Sequence, residues 1–349
     1  MNSSLFLTTE EQKKTIDSIK ALVPGKLYTM EYTADYKLDE FINSGAVLLE
    51  DFTKFAAVTL LDGRKIAAAQ AAAAQAAQAE PMKMNDYNSG CSAFCGFTEA
   101  GDPLYCRGYD FPHQPTALFV HTHPRNGYRS IGGADLSFMN IHEGMLEDGK
   151  TDLSALMLAP YVIVDGVNEK GVAIAALALK HNGVNQNTGK TKIPTTVIMR
   201  TILDRAASTD EAIDIFKSYD ICTNLPNRDF HFLINDANGI SKVVEYVNQH
   251  INVFDARCLN NQYMTPYMSE NVHEPRFEVL NNFNIHRQGR FEVDDAMAML
   301  RCIRLDEYMS PDELPAKSHT LWSYVANLKT LSIDLCFSRD YDHRFKLEV

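Results

Sequence analysis

Three side chains of complementary chemistry lie in one stretch, NSGCSAFCGFTEAGDPLYCRGYDF, which spans residues 88–111. A thiol, Cys91, follows a glycine near one end, and a guanidinium and a carboxylate, Arg107 and Asp110, lie near the other. Two apolar runs flank the turn signal Ala100-Gly101, which predicts a β-hairpin. With a two-residue loop, Cys91 would face Asp110 at contact distance.

This register makes two further predictions. Cys95 would face Cys106 across the hairpin. Arg107 lies three positions before the carboxylate, so on a regular strand it would point to the other face. A β-bulge at Gly108 would return the Arg107 side chain to the face of the hairpin that carries Cys91, and so bring the guanidinium to the thiol. A longer loop would change the register.

The glycine before Cys91 suggests how the thiol could be activated. A thiol has a pKa near about 8.5, and no histidine lies close in the sequence to act as its base. Cutting the Gly90–Cys91 bond would give Cys91 a free α-amine, whose pKa of about 7.7–8.0 lets it accept the thiol proton. Asp110 would orient that amine and Arg107 would favour the thiolate. Alternatively, Cys91 is a small buried hydrophobe in a permanent N-terminal subdomain.

The stretch resembles the N-terminal-nucleophile (Ntn) hydrolases of the choloylglycine hydrolase and acid amidase family. That family includes bile salt hydrolases, penicillin V acylase, acid ceramidase, N-acylethanolamine amidase and the penicillin-forming acyltransferases. The matching pattern is Cys91-Ser92, a hydrophobic strand, a turn with glycine, and Arg107-x-x-Asp110. Further matching segments follow it: GYRSIGGADLSFM, VDGVNEKGVAIAAL, FLINDANGISKVVEY and TLWSYVANL. The resemblance runs from about residue 88 to the C-terminus.

The resemblance implies an α+β fold, the four-layer αββα sandwich of two antiparallel sheets between helices. It implies that residues 1–90 are a partly helical propeptide, cut off at Gly90–Cys91, and that residues 91–349 are the catalytic domain. The propeptide would carry a capping box at Thr9 and an Ala/Gln-rich linker, Ala67–Glu80. It would cover the site until cleavage. No cofactor and no metal are implied.

The resemblance also assigns two residues beyond the hairpin. Family members carry an asparagine after the later hairpin that helps to bind the oxyanion, and the closest register places Thr265 there. Its hydroxyl is a donor, and Asn260 or Asn261 could supply the amide if the register shifts. Arg276 matches a family arginine near the site, although a lone surface arginine is nearly as good an interpretation.

Other candidate residues receive structural interpretations. Asn168 is predicted to hold a turn before Gly171. Ten residues after Asn168, bile salt hydrolases have an active-site asparagine where this chain has Ala178, which argues against a site of the bile-salt type. His121 and His123 could bind a metal, but a packing or substrate-lining role is favoured because no carboxylate motif lies nearby.

Strand signals dominate the chain after Cys91, with helices between them. The predicted strands are CSAFCGF, LYCRGYDF, ALFVHTH, YVIVDGV, GVAIAALAL, DFHFLIND, SKVVEYVN, LWSYVANL and LSIDLCFS. Helices are predicted at TTVIMRTILDRAA, at DEAIDIFKSY with a capping box of Ser208 and Glu211, and around Val293–Arg301. Blocks of strands and helices favour a layered α+β architecture over a βαβ alternation.

Composition limits the partners and the location. The formal net charge is −12, which disfavours non-specific binding to nucleic acid. No apolar run approaches the roughly 20 residues of a membrane span, and the N-terminus has no signal-peptide pattern. Seven dispersed cysteines favour the cytoplasm and, with no CxxC pair, disfavour a structural zinc site.

The leading hypothesis is hydrolysis of a linear, non-peptide amide bond in a small N-acyl compound. An acyltransferase that uses the same Cys91 thioester is one alternative, and a non-catalytic binding protein that does not mature is another. Apolar residues at Leu118–Val120 and methionines at Met264–Met268 and Met297–Met299 suggest a fatty-acyl pocket or ordinary core packing. A homo-oligomer is left open.

Overall fold

The structure is a computed structural model that describes residues 6–61, 63, 90–112, 116–179, 183–223, 229–269, 275–305 and 318–349. The Ala/Gln-rich run at Ala67–Glu80 lies outside the described residues.

The strands, in chain order, are β1 Lys20–Val23, β2 Leu27–Tyr32, β3 Cys91–Phe97, β4 Pro103–Phe111, β5 Ala117–Thr122, β6 Ser130–Asp135, β7 Ile163–Asn168, β8 Ala173–Leu179, β9 Lys192–Pro194, β10 Asp220–Cys222, β11 Asp229–Asn235, β12 Ser241–Val247, β13 His250–Asp255, β14 Cys258–Leu259, β15 His319–Asn327, β16 Ser332–Phe337 and β17 Asp340–Glu348. The α-helices are α1 Glu10–Asp17, α2 Leu38–Ser44, α3 Leu49–Phe55, α4 Thr195–Arg205, α5 Thr209–Ser218, α6 Pro266–Ser269, α7 Pro275–His286 and α8 Val293–Ile303. A π-helical turn, Ala56–Leu60, follows α3, and 3₁₀ helices span Leu136–Met139 and Leu153–Tyr161.

Two large sheets form the middle of the molecule. One has nine strands in the order β1-β2-β5-β6-β7-β8-β11-β12-β13, and the other has six in the order β14-β3-β4-β15-β16-β17. Neighbouring strands of both sheets are antiparallel, apart from the parallel pair β2 and β5. A short parallel pair, β9 and β10, stands apart.

Side chains alternate between the two faces of each sheet and so build three apolar layers. Leu177 and Leu233 of the nine-stranded sheet meet Trp322 of the six-stranded sheet in the layer between them. The opposite face of the nine-stranded sheet packs under helices that include α4. The opposite face of the six-stranded sheet packs under α8 and α7. The arrangement is the predicted four-layer αββα sandwich.

Most predicted elements are confirmed, including the capping box of α1 at Thr9. Of the capping box predicted for α5, the Ser208 hydroxyl accepts from the Glu211 amide at 3.2 Å, but the Glu211 carboxylate accepts from the amide of Ala207 rather than from that of Ser208. The N-terminal region is only partly helical. Its β1 and β2 extend the nine-stranded sheet, and Leu27 reaches the layer between the sheets. Within the described residues, no helix combines the length and the apolar character needed to cross a bilayer.

A buried arginine ties the N-terminal region to the body of the protein. Arg200 of α4 donates to Asp204 from Nε at 2.9 Å and from Nη2 at 2.7 Å. Arg200 Nη2 also donates to the Ser130 hydroxyl at 2.6 Å. The phenol of Tyr36, from the N-terminal region, donates to the other oxygen of Asp204 at 2.6 Å. All these donors and acceptors lie under the outer face of the nine-stranded sheet.

The hairpin of β3 and β4 departs from the predicted register by one residue. Cys91 faces Tyr109, and Cys95 faces Tyr105 rather than Cys106. The predicted two-residue loop is wrong, because Thr98 N donates to Asp102 O at 2.9 Å and the loop has three residues. Gly101, with φ of 88°, takes the left-handed position that such loops require.

This register changes which side chains share a face. Arg107 now faces Ala93 and lies on the same face as Cys91, so the bulge proposed at Gly108 is not needed for the hairpin pairing. Asp110 lies opposite Gly90, and its backbone amide donates to the Gly90 carbonyl at 3.0 Å. The carboxylate therefore belongs to the other face, beside the glycine rather than the thiol.

Candidate active site

The thiol of Cys91 lies at the first residue of β3, in the layer between the sheets. Its residue is only 3% exposed in the uncut chain. Arg107 reaches it from the neighbouring strand, with Nη2 donating to Sγ at 3.4 Å. The same Nη2 donates across the sandwich to the carbonyl of Ala176 on β8 at 3.0 Å. The hairpin register and the sheet-to-sheet contact together fix the guanidinium on the thiol.

A buried carboxylate balances the charge of Arg107. Its Nε donates to Asp165 Oδ2 on β7 at 3.3 Å, and the indole of Trp322 donates to the same oxygen at 3.2 Å. Burial lowers the pKa of Arg107, but the nearby Cys91 and Asp165 outweigh it and raise that pKa above its ordinary value. Burial raises the pKa of Asp165, and Arg107 opposes the shift. We conclude that the guanidinium stays charged beside the thiol.

This group has spare hydrogen-bonding capacity. Among the described residues, Arg107 Nη1 and Asp165 Oδ1 are buried and have no hydrogen-bond partner. An unpaired buried polar atom is costly and needs an explanation, and a catalytic role is one such explanation. The phenol of Tyr109, which faces Cys91, donates to Asp135 at 3.1 Å, so the polar groups around the thiol continue along β4 to β6.

The carboxylate of Asp110 lies beside the residue that precedes the thiol. Its Oδ2 accepts from Arg276 Nη1 at 2.7 Å, and its Oδ1 accepts from the Thr320 hydroxyl at 2.5 Å. A Cβ added to Gly90 would lie 3.0 Å from Asp110 Oδ2, 2.8 Å from Arg276 Nη2 and 2.6 Å from Leu305. Only glycine fits this space without a shift. Asp110 and Arg276 therefore flank the Gly90–Cys91 linkage.

An asparagine side chain meets the backbone of the thiol residue. The amide of Cys91 donates to Asn261 Oδ1, and Asn261 Nδ2 donates to the carbonyl of Ala178 at 2.7 Å. Strand β14 pairs Leu259 with Ala93. Continuing that antiparallel register by two residues brings Asn261 opposite Cys91.

The structure corrects the position predicted for Thr265. Its hydroxyl donates to Glu245 Oε1 at 2.6 Å and is not bonded to Cys91. Asn261, one of the two alternatives, lies at the thiol residue instead. The offset arises because the chain turns after β14 and places residues 264–265 against β12 rather than against β3.

Other residues considered in the sequence contribute to the structure of the protein and do not contact Cys91. Asn168 accepts from the amides of Lys170 and Val172 and donates to the carbonyls of Leu203 and Ala206 at the C-terminal end of α4, so it holds the turn before Gly171 as predicted. His123 pairs with Glu31 at 2.8 Å. Within the described ranges, no group of three or more His, Cys, Asp or Glu side chains could hold a metal ion.

Asp165 and Trp322 are functional residues that the sequence did not predict at this site: Arg107 and Trp322 both donate to Asp165 Oδ2. Both lie inside quoted family segments, VDGVNEKGVAIAAL and TLWSYVANL, but each belongs to a different strand from the hairpin. A lone aspartate in an apolar strand is the only signal that could have identified Asp165, because a buried carboxylate needs a partner.

The geometry suits chemistry at a carbonyl carbon. The Cys91 sulfur is a potential nucleophile, and the Arg107 guanidinium contacts it directly. An unpartnered guanidinium nitrogen and an asparagine amide lie near the same residue and are donors of the kind that stabilise an oxyanion. A carboxylate–arginine pair flanks the bond whose cleavage would free the amine of Cys91.

Comparisons with known proteins agree with this description. The family model for linear amide C–N hydrolases, choloylglycine hydrolase family, matches residues 91–288 and begins at the thiol residue. A bile salt hydrolase/transferase of Clostridium perfringens (strain 13 / Type A) is 33% identical over 99 residues. That match covers 26% of this chain and only 30% of the length of that curated relative.

Solved structures show the same fold. A mutant of the conjugated bile acid hydrolase from Clostridium perfringens has a TM-score of 0.56 at 16% identity, over 74% of this chain and 92% of that chain. Penicillin V acylase from Agrobacterium tumefaciens has a TM-score of 0.54 at 16% identity, over 74% of this chain and 86% of that one. On the family match, the chain belongs to the choloylglycine hydrolase family of linear amide C–N hydrolases.

Proposed function

We propose that the protein is a cysteine amidase that hydrolyses the linear amide bond of an N-acyl compound, after its own chain is cut between Gly90 and Cys91. The observation that carries the proposal is the contact of Arg107 with the Cys91 thiol at the start of β3. The Asp110–Arg276 pair beside Gly90 supports the cleavage position.

Maturation would begin with an attack of Cys91 Sγ on the carbonyl carbon of Gly90. The S–C bond forms and the C–N bond breaks, so that a thioester replaces the peptide bond and the α-amine of Cys91 takes up the thiol proton. Water then hydrolyses the thioester and leaves a carboxylate on Gly90. The amide of Asp110, which donates to the Gly90 carbonyl at 3.0 Å, would polarise that bond.

Turnover would use the same groups. The free amine takes the proton of Cys91, and the thiolate attacks the substrate carbonyl. Asn261 and the free nitrogen of Arg107 stabilise the oxyanion. The amine returns the proton to the leaving nitrogen, a thioester remains, and water then releases the acid. Asp110 orients the amine, and Arg276 holds Asp110.

The acyl group is proposed to be apolar, with a fatty-acyl chain as one form. Support comes from aromatic side chains that continue outward from the thiol: Tyr109 stacks on Phe111, and Phe111 packs edge-on against Phe138 at 5.4 Å. The residues that the sequence suggested for a fatty-acyl pocket fall into two groups. Leu118, Val120 and Met297 are core residues, whereas Met264 lines a cleft of about 540 Å³ between β13 and α7.

An acyltransferase remains a second candidate. The name of the curated relative, a bile salt hydrolase/transferase, favours it. In this version an amine replaces water as the second nucleophile on the Cys91 thioester. The cytoplasmic location stays a prediction.

Intact-mass analysis of the purified chain tests the proposal. A fragment that begins at Cys91 in wild-type protein, and a full-length chain in Cys91→Ala, are expected. The mature protein is then incubated with N-acyl amides that vary in both halves, with and without an added amine. Free acid indicates hydrolysis, and a new amide indicates transfer. Full activity in a chain whose residue 91 is still in a peptide bond would contradict the mechanism.

A further inference from the structure

A buried histidine–glutamate pair lies beneath the segment that carries Asn261. His231 is on β11 and Glu245 is on the neighbouring β12, and both are fully buried. Neither side chain is bonded to Cys91, Arg107 or Asp110 in the described contacts, so the mechanism above does not use them. A buried histidine and a buried carboxylate in this position have to be explained, because burying polar groups is costly unless they are hydrogen-bonded.

The Glu245 carboxylate accepts an unusually complete set of hydrogen bonds from this segment. Oε1 accepts from the amide of Thr265 at 3.1 Å and from its hydroxyl at 2.6 Å. Oε2 accepts from the amide of Met264 at 2.7 Å and lies 3.4 Å from His231 Nδ1. Burial raises the pKa of Glu245, but these hydrogen bonds outweigh it and the pKa is lowered. The carboxylate is therefore ionised.

His231 links Glu245 to the Asn260 carbonyl through its two ring nitrogens. Nε2 lies 2.6 Å from the carbonyl of Asn260, which only accepts, so Nε2–H is the donor in this contact. Nδ1 lies 3.4 Å from Glu245 Oε2. The imidazole therefore spans the space between the carboxylate and the Asn260 carbonyl.

The Asn260 carbonyl is in the peptide group that leads directly into Asn261. The pair therefore holds the segment at both ends: His231 at Asn260, and Glu245 at Met264 and Thr265. Asn261 lies between these anchors, with its side chain on Cys91 N and the Ala178 carbonyl.

We propose that His231 and Glu245 are positioning residues, whose hydrogen bonds hold the Asn260–Thr265 segment so that the Asn261 amide stays at Cys91. The proposal rests on the proposed function, since Asn261 is an oxyanion donor only in that mechanism. A misplacement of about 1 Å in such a group can cost about 100-fold in rate.

Kinetics of the mature protein test this role. His231→Leu removes the donor to Asn260 and should lower kcat about 10- to 100-fold, with KM changed less than about 3-fold. His231→Gln keeps an N–H for the Asn260 carbonyl and should restore most of the loss. His123→Leu, which breaks the exposed pair with Glu31, is the matched control and should leave kcat unchanged.

A double-mutant cycle identifies the group through which His231 acts. If it acts through Asn261, His231→Leu should cause no further loss in an Asn261→Ala background. Losses that multiply in the double variant would overturn the proposal, as would equal kcat for His231→Leu and wild type.

A measurement without substrate separates this inference from the proposed function. In nitrogen-15 NMR of the uncut Cys91→Ala protein, with an Asn261→Ala spectrum used for assignment, His231→Leu should shift or broaden the signals of the Asn261 side-chain amide, and His231→Gln should leave them near their original positions. Unchanged Asn261 signals in His231→Leu would overturn the positioning role even if the protein is an amidase. Shifted signals in a protein that cleaves no N-acyl amide would refute the proposed function and leave the positioning role supported.

Discussion

Two buried arginines occupy opposite faces of the nine-stranded sheet, and each pairs with an aspartate. Arg200, on the helix side, contacts Asp204 through two nitrogens, at 2.9 and 2.7 Å, and Tyr36 occupies the second carboxylate oxygen. Arg107, between the sheets, contacts Asp165 through one nitrogen at 3.3 Å, and Asp165 Oδ1 has no partner among the described residues.

We interpret the difference as that between a structural pair and a reactive one. Both oxygens of Asp204 accept hydrogen bonds, so its contacts stabilise the fold. Among the described residues, Nη1 lacks a hydrogen-bond partner in both arginines, so this atom does not distinguish them. The two pairs differ because Arg107 donates to a thiol and because one oxygen of its aspartate has no partner there. Buried ion pairs are weak evidence for stability on their own. How completely the partners are satisfied indicates which of the two roles each pair has.

Breaking the structural pair should give the largest effect. Arg200→Met leaves Asp204 buried without its cation and should lower the free energy of unfolding by about 3–5 kcal/mol. Chemical denaturation of the uncut Cys91→Ala protein measures it. Arg200→Lys, which keeps the charge, should lose less. Equal stability of Arg200→Met and its parent would refute the assignment.

The reactive pair should respond in activity instead. Arg107→Lys keeps the charge opposite Asp165 but loses the planar fork that reaches Sγ, the Ala176 carbonyl and Asp165 together. We expect kcat/KM to fall about 100-fold, with a smaller loss of stability than Arg200→Met causes. Initial rates on an N-acyl amide and a parallel unfolding curve give both values. Loss of stability without loss of rate would reverse the comparison.

A third buried carboxylate, Asp229, sharpens the comparison because it has no ion pair within the described residues. Burial raises its pKa to about 6, so the fold favours the protonated form. Its contribution to stability is therefore full below pH 4 and is lost as the pH rises towards 6, by about 2–3 kcal/mol. Asp229→Asn should flatten this part of the pH profile, as measured by urea unfolding at pH 4, 5, 6 and 7. Parallel profiles for the two proteins would contradict it.

The smallest effect is expected at the contact that joins the N-terminal region to Asp204. Tyr36→Phe removes one hydrogen bond to a charged group and should cost about 1–2 kcal/mol, with kcat unchanged. Thermal unfolding of wild-type and variant protein checks the stability. A change in kcat with no change in stability would link this region to the chemistry, against the division drawn above.

The sequence predicted the layers well and the contacts between them poorly. Apolar runs such as GVAIAALAL and turn signals such as Ala237-Asn238-Gly239 are local, and each element they predicted is present. The hairpin register failed by one residue because Thr98 and Asp102 close the loop one position earlier than expected, with Gly101 in the left-handed position.

Contacts between strands that are distant in the sequence could not be predicted from such local patterns. Asp165 meets Arg107 only because β7 and β4 lie in different sheets that pack face to face. The parallel pairing of β2 with β5 joins segments separated by more than 80 residues, and no local pattern encodes it. The shift of Thr265 away from the thiol has the same origin, a turn after β14 that only the tertiary packing specifies.

Strand β2 also limits how the enzyme can be produced. It pairs along its whole length with β5, from Leu27 opposite Ala117 to Tyr32 opposite Thr122. A recombinant chain that starts at Cys91 would therefore present β5 as a bare edge, with Leu118 and Val120 losing their cover, and such edges recruit other chains into aggregates. Laboratory preparations of the working form should come from the longer polypeptide, or from the two pieces supplied together, and not from a shortened gene.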